Sequence, residues 1–240
     1  MLSVVIPIHN ALPFLKKTLQ SVLNTTDNLS ELILVDDASD EETRVFIDTL
    51  RIAPGSPIRL IKTRNPEHSW TNASWNIGVK LATQRYIAVL NSDITLSPSW
   101  DTHLIELLRD YSVACPQLSP TQKLSPIIEE IDPGMIQGAC FMFERDEKDY
   151  FFPGLLSATH WYLDRYIAKI ANEYLSGVGF SPSAIISHAV SQSAKTTKPE
   201  EYDNVIKKDL FAWESFTGER EVVVRREMGW NDLVDPLTQW

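Results

Sequence analysis

The chain has 240 residues and a mass of 27.2 kDa, which is enough for one sizeable hydrophobic core. Hydrophobic residues make up 43% and charged residues 22%, with 9 Gly and 14 Pro, and this composition excludes collagen-like, low-complexity and largely disordered proteins. The net charge of −10 repels a phosphate backbone, so we do not expect nucleic acid as a partner. An acidic protein that binds an anionic ligand must do so locally, through a metal ion or oriented backbone N–H groups.

The two cysteines, Cys115 and Cys140, are too few for a disulfide framework or a four-ligand zinc site, and we expect buried, reduced thiols. No apolar run approaches the roughly 18 residues needed to cross a bilayer. The start Met1-Leu2-Ser3 also lacks the basic residues of a secretory signal. We therefore expect a protein without a transmembrane segment that is cytoplasmic or reaches membranes only through partners.

The predicted elements begin with four strand-then-helix units, in which a short aliphatic run precedes apolar residues at helical spacing. The units are strand 2–8 with a helix on Leu12, Leu15, Leu19, Val22 and Leu23; strand 31–35 with a helix through Phe46 and Leu50; strand 58–62 with a helix on Trp75, Val79 and Ala82; and strand 85–90 with a helix on Trp100, Leu104, Leu107 and Leu108. The S-x-x-E pattern of residues 39–42 predicts a capping box in which Ser39 caps the second helix. This alternation favours a mostly parallel sheet with helices on both faces.

The second half of the chain has a less regular pattern. Its predicted elements are a proline-rich loop at 115–133, a strand at 136–143, a helix on Leu163, Ile167, Ile170 and Tyr174, a strand at 183–187 that ends at His188, a polar linker at 191–199, and an amphipathic helix on Tyr202, Val205, Ile206, Leu210 and Trp213. The apolar face of the last helix must dock on the domain or on a partner, which includes a second copy of the chain.

Polar residues at strand ends are the first candidates for a site, because ligands of open α/β sheets bind at the carboxyl ends of the strands. The pair Asp36-Asp37 follows the second strand. Such a pair before a helix is a common capping device. Alternatively, Asp37 accepts a hydrogen bond from N3–H of a pyrimidine base, and a carboxylate does so more strongly than a neutral group.

A second candidate is the triplet Asn91-Ser92-Asp93, which follows the fourth strand. Asn and Asp are turn formers, so a simple turn is one interpretation. The other is a site for Mg²⁺ or Mn²⁺, because these ions prefer oxygen ligands and take further ligands from a bound pyrophosphate.

Two later residues complete the list of candidates. Asp164 lies beside the apolar stripe of Leu163 and Ile167, and its aromatic neighbours would raise its pKa into the range of a general base; the alternative is a surface residue near Arg165. His188 closes the last strand, either as a structural residue or as a metal ligand. The remaining histidines, His9, His68, His103 and His160, show no spacing typical of metal ligands.

These segments together resemble the inverting glycosyltransferases of family 2, which have the GT-A fold. The resemblance is carried by Ser3 to Asn10, Glu31 to Ser39, Trp75 to Gly78 and Tyr86 to Asp93, and more weakly by Gly138 to Phe143, Trp161 to Tyr166 and Ser187-His188. It implies a Rossmann-like, mostly parallel α/β sheet flanked by helices. It further implies a GT-A domain at 1–193, made of a nucleotide-sugar-binding half at 1–110 and an acceptor half at 111–193, followed by a linker and helical extension at 194–240.

The resemblance also implies roles for the candidate residues. A nucleotide-diphosphate sugar, for example a UDP-sugar, would lie across the first four strand ends, next to Pro7, His9, Asn10, Asp36, Asp37, Asn76, Asn91, Ser92 and Asp93. Asp93 and His188 would hold Mn²⁺ or Mg²⁺. Asp164 would be the base that activates a hydroxyl of a carbohydrate or other acceptor, with Asp149 and Glu147 as the nearest replacements.

Two departures from the family pattern keep other interpretations open. The acidic triplet opens with Asn91 instead of Asp, and only one carboxylate is present in Leu163-Asp164, where the family normally has an acidic pair. An inactive nucleotide-sugar-binding or assembly subunit therefore stays an alternative. A nucleotidyltransferase is less favoured, because residues 7–13 contain no glycine-rich phosphate loop.

Overall fold

The computed structural model describes residues 1–120, 135–152, 160, 162–189, 199–217, 223–224 and 233–234. Its main strands are β1 (Leu2–Ile8), β2 (Leu29–Asp37), β3 (Arg59–Asn65), β4 (Tyr86–Leu90), β5 (Ile94–Leu96), β6 (Val113–Leu118), β7 (Cys140–Glu144) and β8 (Val178–His188). Its helices are α1 (Leu12–Thr25), α2 (Glu41–Thr49), α3 (Trp70–Leu81), α4 (Trp100–Leu107), α5 (Lys148–Phe151), α6 (Leu163–Tyr174) and α7 (Pro199–Thr217). A short antiparallel pair, Val223–Val224 with Leu233–Val234, lies near the C-terminus.

The strands form one eight-stranded sheet in the order β3-β2-β1-β4-β7-β6-β8-β5. The first four strands are parallel, as the strand–helix alternation predicts. Beyond β4 the sheet is mixed, because β7 runs antiparallel to both β4 and β6, and β5 runs antiparallel to β8. One face of the sheet packs on α1, α2 and α4, and the other packs on α3, α5 and α6.

Strand β6 is a correction to the sequence analysis, which predicted that the loop begins at residue 115. Val113, Ala114, Cys115 and Pro116 are buried in strand conformation between β7 and β8. Proline has no N–H to donate to a neighbouring strand. Strand β7 pairs only with Val113 and Ala114, so Pro116 interrupts no hydrogen bond between β6 and β7. The rest of the predicted loop falls largely at 121–134, outside the described residues.

The start of α2 is a second correction, because Asp40 caps this helix and Ser39 does not. The side chain of Asp40 accepts a hydrogen bond of 2.8 Å from N–H of Thr43. The hydroxyl of Ser39 instead accepts from N–H of Asn10 at 3.0 Å and faces the carbonyl oxygen of Ile8. Ser39 therefore connects the ends of β1 and β2.

Gly78 allows α3 to lie directly on the sheet. A Cβ atom at this position would stand 2.2 Å from Cγ1 of Val5 and 3.2 Å from Cγ2 of Val35. Both distances are shorter than van der Waals contact, so no larger residue fits while the helix keeps this position. The close approach fixes the second half of α3 against β1 and β2.

Helix α7 packs part of its apolar face on this chain, the first of the two expected alternatives. Val205 and Leu210 are buried, and Trp213 stacks on Tyr162 with ring centroids 5.8 Å apart. The predicted linker before it lies almost wholly outside the described residues.

Cys115 and Cys140 are buried free thiols, as expected. Among the helices described here, none is both long enough and apolar enough to cross a membrane.

Candidate functional site

Hydrogen bonds tie together the chain segments that follow β1 and β2. His9 Nδ1 lies 2.7 Å from the carbonyl oxygen of Asp37, and since a carbonyl only accepts, this nitrogen carries a proton. His9 Nε2 faces the side-chain amide of Asn10 at 3.2 Å, as expected for an acceptor in a neutral imidazole. Burial lowers the pKa of His9, which favours the same neutral form. The side-chain oxygen of Asn10, Oδ1, in turn accepts a hydrogen bond of 2.7 Å from N–H of Asp40.

Backbone strain is concentrated at the same edge of the sheet. Five of the six non-glycine residues with positive φ in the described part of the chain follow β1, β2 or β3 or precede α6: Asn10 (59°), Ala11 (57°), Ala38 (53°), Trp70 (68°) and Tyr162 (65°). The sixth, Ser99 (55°), precedes α4. Non-glycine residues adopt this conformation rarely, and it persists where surrounding contacts hold it, often at functional sites. The strain therefore marks the carboxyl edge of the sheet independently of the side chains.

Asp36 braces the end of β2. Its side chain is fully buried, and its Oδ2 accepts a hydrogen bond of 2.6 Å from Nε of Arg64, with which it forms an ion pair. Its Oδ1 accepts from N–H of Ser39 at 2.9 Å. Asp36 therefore supports the turn after β2 and presents no free oxygen toward the strand ends.

Asp37 is 3% exposed and organises the segment that leads into α3. Its Oδ1 accepts from Nδ2 of Asn65 at 2.7 Å and from N–H of Ser69 at 2.8 Å, and its Oδ2 accepts from N–H of Trp70 at 2.8 Å. Nδ1 of His68 lies 2.7 Å from the same Oδ2. Burial by itself raises the pKa of Asp37, but these partners outweigh it and hold the pKa below its ordinary value.

Four rings continue from Asp37 along the rim of the site. His9 stacks on His68 with centroids 3.9 Å apart, His68 lies 4.5 Å from Trp70, and Trp70 lies 5.7 Å from His160. The sequence analysis missed this cluster, because its members meet only through tertiary structure. His9, Asp37 and His68 also have ligand atoms within 4.8 Å of one another. However, the lone pair of an imidazole nitrogen lies in the plane of its ring, so the lone pairs of the stacked His9 and His68 rings are nearly parallel and do not converge on one ion. The cluster of His9, Asp37 and His68 therefore fits a stacking surface better than a metal chelate.

Asn91, Asp93 and His188 do meet, as their positions at strand ends predict. Nε2 of His188 lies 3.0 Å from Oδ1 of Asp93 and 3.4 Å from Nδ2 of Asn91. The antiparallel pairing of Ile94 with His188 fixes this arrangement, and N–H of Ala189 donates to the carbonyl oxygen of Asp93 at 2.9 Å. One carboxylate, one amide and one imidazole thus face a common point, while Ser92 is buried beside them.

Asp164 is connected to Asn91 through Gly138 and Ala139, the two residues before β7. N–H of Asn91 donates to the carbonyl oxygen of Ala139 at 2.9 Å, and a Cβ on the adjacent Gly138 would stand 3.4 Å from Oδ2 of Asp164. Oδ1 of Asp164 accepts from N–H of Arg165 at 2.9 Å. Burial raises the pKa of Asp164, although the nearby Arg165 opposes this effect. Trp161, one of the aromatic neighbours expected to raise the pKa of Asp164, lies outside the described residues.

The suggested replacements for Asp164 are wrong, because Glu147 and Asp149 lie at the opposite edge of the sheet. Strand β7 runs antiparallel to β4, so its first residue pairs with Leu90 and its last with Tyr86. The chain that follows β7 therefore emerges at the amino ends of the parallel strands. There Glu147 accepts a hydrogen bond of 3.0 Å from the hydroxyl of Ser112.

Two further candidates occupy simpler positions. Pro7 is partly buried near the end of β1, beyond Val5, the last residue of β1 that pairs with β4. Asn76 is half-buried on α3 and donates to the carbonyl oxygen of Asn72 at 2.8 Å and to its side-chain oxygen at 2.7 Å. Both of these hydrogen bonds are internal to the helix.

Comparisons with known proteins agree with this architecture. Residues 3–126 match the sequence model of "Glycosyl transferase family 2". A Drosophila melanogaster protein named "Putative polypeptide N-acetylgalactosaminyltransferase 13" is 36% identical over 139 residues, which cover 55% of this chain and 24% of the relative. An "Uncharacterized glycosyltransferase" of Haemophilus influenzae is 32% identical over 93 residues, which cover 39% of this chain and 36% of the relative. The matched parts thus span well under half of either relative.

Solved structures share the fold at low sequence identity. The crystal structure of GalNAc-T7 with UDP, GalNAc and Mn²⁺ has a TM-score of 0.61 and 17% identity, and covers 78% of this chain and 43% of that one. The crystal structure of S. aureus TarS 1–349 in complex with UDP-GlcNAc has a TM-score of 0.60 and 15% identity, and covers 89% and 66%. The expected GT-A architecture is confirmed.

Proposed function

This chain belongs to glycosyl transferase family 2, and we propose that it transfers a sugar from a nucleotide-diphosphate donor to an acceptor hydroxyl, with inversion and with help from a divalent metal ion. The contact of Asp93 with His188 beside Asn91, at the edge where ligands of such sheets bind, carries the proposal. Asp164 packs against Gly138, and the next residue, Ala139, accepts a hydrogen bond from N–H of Asn91.

The side chains at this point suit Mn²⁺ or Mg²⁺. Asp93 offers a carboxylate, Asn91 a neutral amide oxygen and His188 an imidazole nitrogen, a mixed set that suits Mn²⁺ better than Mg²⁺ because it includes nitrogen. A metal ion bound there would offset the negative charge that develops on the leaving diphosphate. The crystal structure of GalNAc-T7, which shares this fold, contains UDP and Mn²⁺ and supports this assignment.

The proposed base is Asp164, which would take the proton from the acceptor hydroxyl. Its Oδ1 is held by N–H of Arg165, so Oδ2, on the side of Gly138, is the atom proposed to receive the proton. A raised pKa makes this carboxylate a stronger base once it is ionised. Attack from the face opposite the diphosphate needs no covalent nucleophile, and inversion follows from the single displacement.

The donor's nucleoside is proposed to lie against Pro7, His9, Asn10 and Asp37, near Asn76. Because Asp37 already accepts several hydrogen bonds from residues 65–70, a contact with a base N–H would replace one of these. The imidazole of His9 offers an adjacent stacking surface. Asp36 would contribute indirectly, through the turn that it supports.

A thermal-shift screen tests the donor assignment. Uridine, guanosine and thymidine diphosphates are added at millimolar concentration with and without Mn²⁺, and at least one should raise the melting temperature in a Mn²⁺-dependent way, because a ligand of the folded state stabilises it. No shift with any of the three would overturn the proposal. Release of nucleoside diphosphate from a panel of donor sugars then separates an enzyme from an inactive binding subunit, which would bind without turnover.

A further inference from the structure

Helix α7 contacts the candidate site although it lies beyond residue 193, where we expected the catalytic domain to end. Trp213 stacks on Tyr162 at 5.8 Å, and Phe216 packs on Tyr166 with centroids 5.1 Å apart. Tyr162 directly precedes α6, the helix that carries Asp164. The last helix of the described chain therefore supports the element that holds the proposed base.

A buried carboxylate on α7 reaches toward the other side of the site. Asp209 has no solvent exposure, and its Oδ2 accepts a hydrogen bond of 2.6 Å from N–H of His160. The ring of His160 faces Trp70, and its Nδ1 lies 2.5 Å from the hydroxyl of Thr71. A buried carboxylate is costly unless it is hydrogen-bonded, so this contact with the main chain of His160 is a specific one.

Trp70 connects His160 with the strand ends. Its positive φ of 68° is strained for a residue with a side chain, and such a conformation persists only where neighbours hold it. One support is its N–H, which donates to Oδ2 of Asp37. Its ring lies between His160 on one side and His68 on the other, so both fix its orientation.

We propose that Asp209 is a positioning residue that fixes the main chain of His160 and thereby holds Trp70 and the start of α3 in the conformation that binds the donor nucleotide. That the ligand is a nucleotide rests on the proposed function, whereas the contacts that connect Asp209 with His160 and Trp70 do not. On this view α7 belongs to the catalytic unit, and the unit extends at least to Trp213.

The first test compares three variants of the full chain. Asp209→Ala removes the acceptor, Asp209→Asn keeps a carbonyl oxygen that can accept from His160, and Phe211→Ser changes a residue of the same helix that is 66% exposed. The dissociation constant of uridine diphosphate with Mn²⁺ is measured by calorimetry, below the melting temperature of each variant. If another diphosphate binds the wild-type chain more tightly, that diphosphate is the probe.

Asp209→Ala should raise the dissociation constant about tenfold, a factor comparable to one lost hydrogen bond. Asp209→Asn and Phe211→Ser should stay within about twofold of the wild type, because both variants keep an acceptor for N–H of His160. A lower melting temperature with an unchanged dissociation constant in Asp209→Ala would show that Asp209 has only a structural role, and would overturn the proposal.

A second readout does not depend on nucleotide binding. Burial lowers the pKa of His160 to about 4, with His68 and Asp37 as the charged groups that act on it. If Asp209 holds His160 in position, Asp209→Ala should release the ring, and its pKa measured by NMR should rise toward the ordinary value of about 6.5. If the wild-type chain binds no diphosphate, the proposed function fails, and this readout alone decides whether Asp209 positions His160. A pKa that stays near 4 would then overturn the inference.

Discussion

Nε2 of His188 lies 3.0 Å from Oδ1 of Asp93, although the two residues belong to distant segments of the chain. The contact follows from strand pairing, because β5 begins directly after Asp93 and its Ile94 pairs with His188 at the end of β8. The short strand β5 therefore brings together the two residues proposed to hold the metal ion.

Replacing Asp93 should remove the metal dependence of nucleotide binding. Asp93→Ala should keep the fold, because Ile94 pairs with His188 through the main chain, but the extra shift with Mn²⁺ and a nucleoside diphosphate should disappear. Asp110→Ala, at an exposed position after α4, is the control and should keep the full shift. If Asp93→Ala binds the nucleotide with the same Mn²⁺ dependence, the triplet is only a turn.

Replacing Asp164 should separate catalysis from binding. Asp164→Asn keeps the shape of the side chain but removes the base, so kcat should fall by about 10²–10⁴ while the donor's dissociation constant stays nearly unchanged. Asp149→Asn removes an exposed carboxylate that follows β7 at the opposite edge of the sheet and should leave kcat unaltered. Normal turnover in Asp164→Asn, with only a modest loss of stability, would remove Asp164 from the mechanism.

The same residue should give the rate a dependence on pH. A base works only when ionised, so kcat should rise as pH increases through the pKa of Asp164, which burial holds above its ordinary value. The rising limb in a plot of log kcat against pH should therefore lie above the range of an exposed aspartate. In Asp164→Asn this limb should be absent, and a limb that persists there belongs to another group.

Gly78→Ala should destabilise the fold by about 1–3 kcal/mol, the range for overpacking in a core, because the added Cβ would stand 2.2 Å from Cγ1 of Val5. The sign is informative, since alanine is favoured over glycine by about 1 kcal/mol in a helix that has room for it. Denaturant unfolding measures the change in free energy. Lys80→Ala, at an exposed position of the same helix, is the matched control, and a stabilised Gly78→Ala would show that α3 can shift away from the sheet.

Acid should destabilise the protein through His160. Burial lowers the folded-state pKa of this histidine to about 4, so between about 6.5 and 4 the unfolded state binds a proton that the folded state does not. The free energy of unfolding should therefore decrease as pH falls through this window. In His160→Gln the slope should become smaller, by at most about 1.4 kcal/mol per pH unit. Unfolding at several pH values, with His103→Gln as the comparison, measures this; equal slopes in the wild type and His160→Gln would contradict the prediction.

Local patterns in the sequence determined the parallel half of the fold and most candidate residues. Aliphatic runs and helical spacing identified β1 to β4 and the helices between them, since these signals depend on residues close together in the chain. The rule that ligands bind at strand ends then selected Asp37, Asn91 and Asp93 before any contact was known. Even so, local propensity failed at Pro116, where burial and pairing with Ser181 of β8 outweigh the preference of proline for loops.

Tertiary structure alone decided which of these residues meet. The antiparallel direction of β7 carries Glu147 to the far edge of the sheet, whereas the turn before β7 brings Gly138 against Asp164. The three hydrogen bonds that the Asp37 carboxylate accepts, the stack that begins at His9 and the docking of α7 likewise depend on pairings between segments far apart in sequence. No local spacing encodes such contacts, because they follow from strand direction, register and packing, which are properties of the whole sheet.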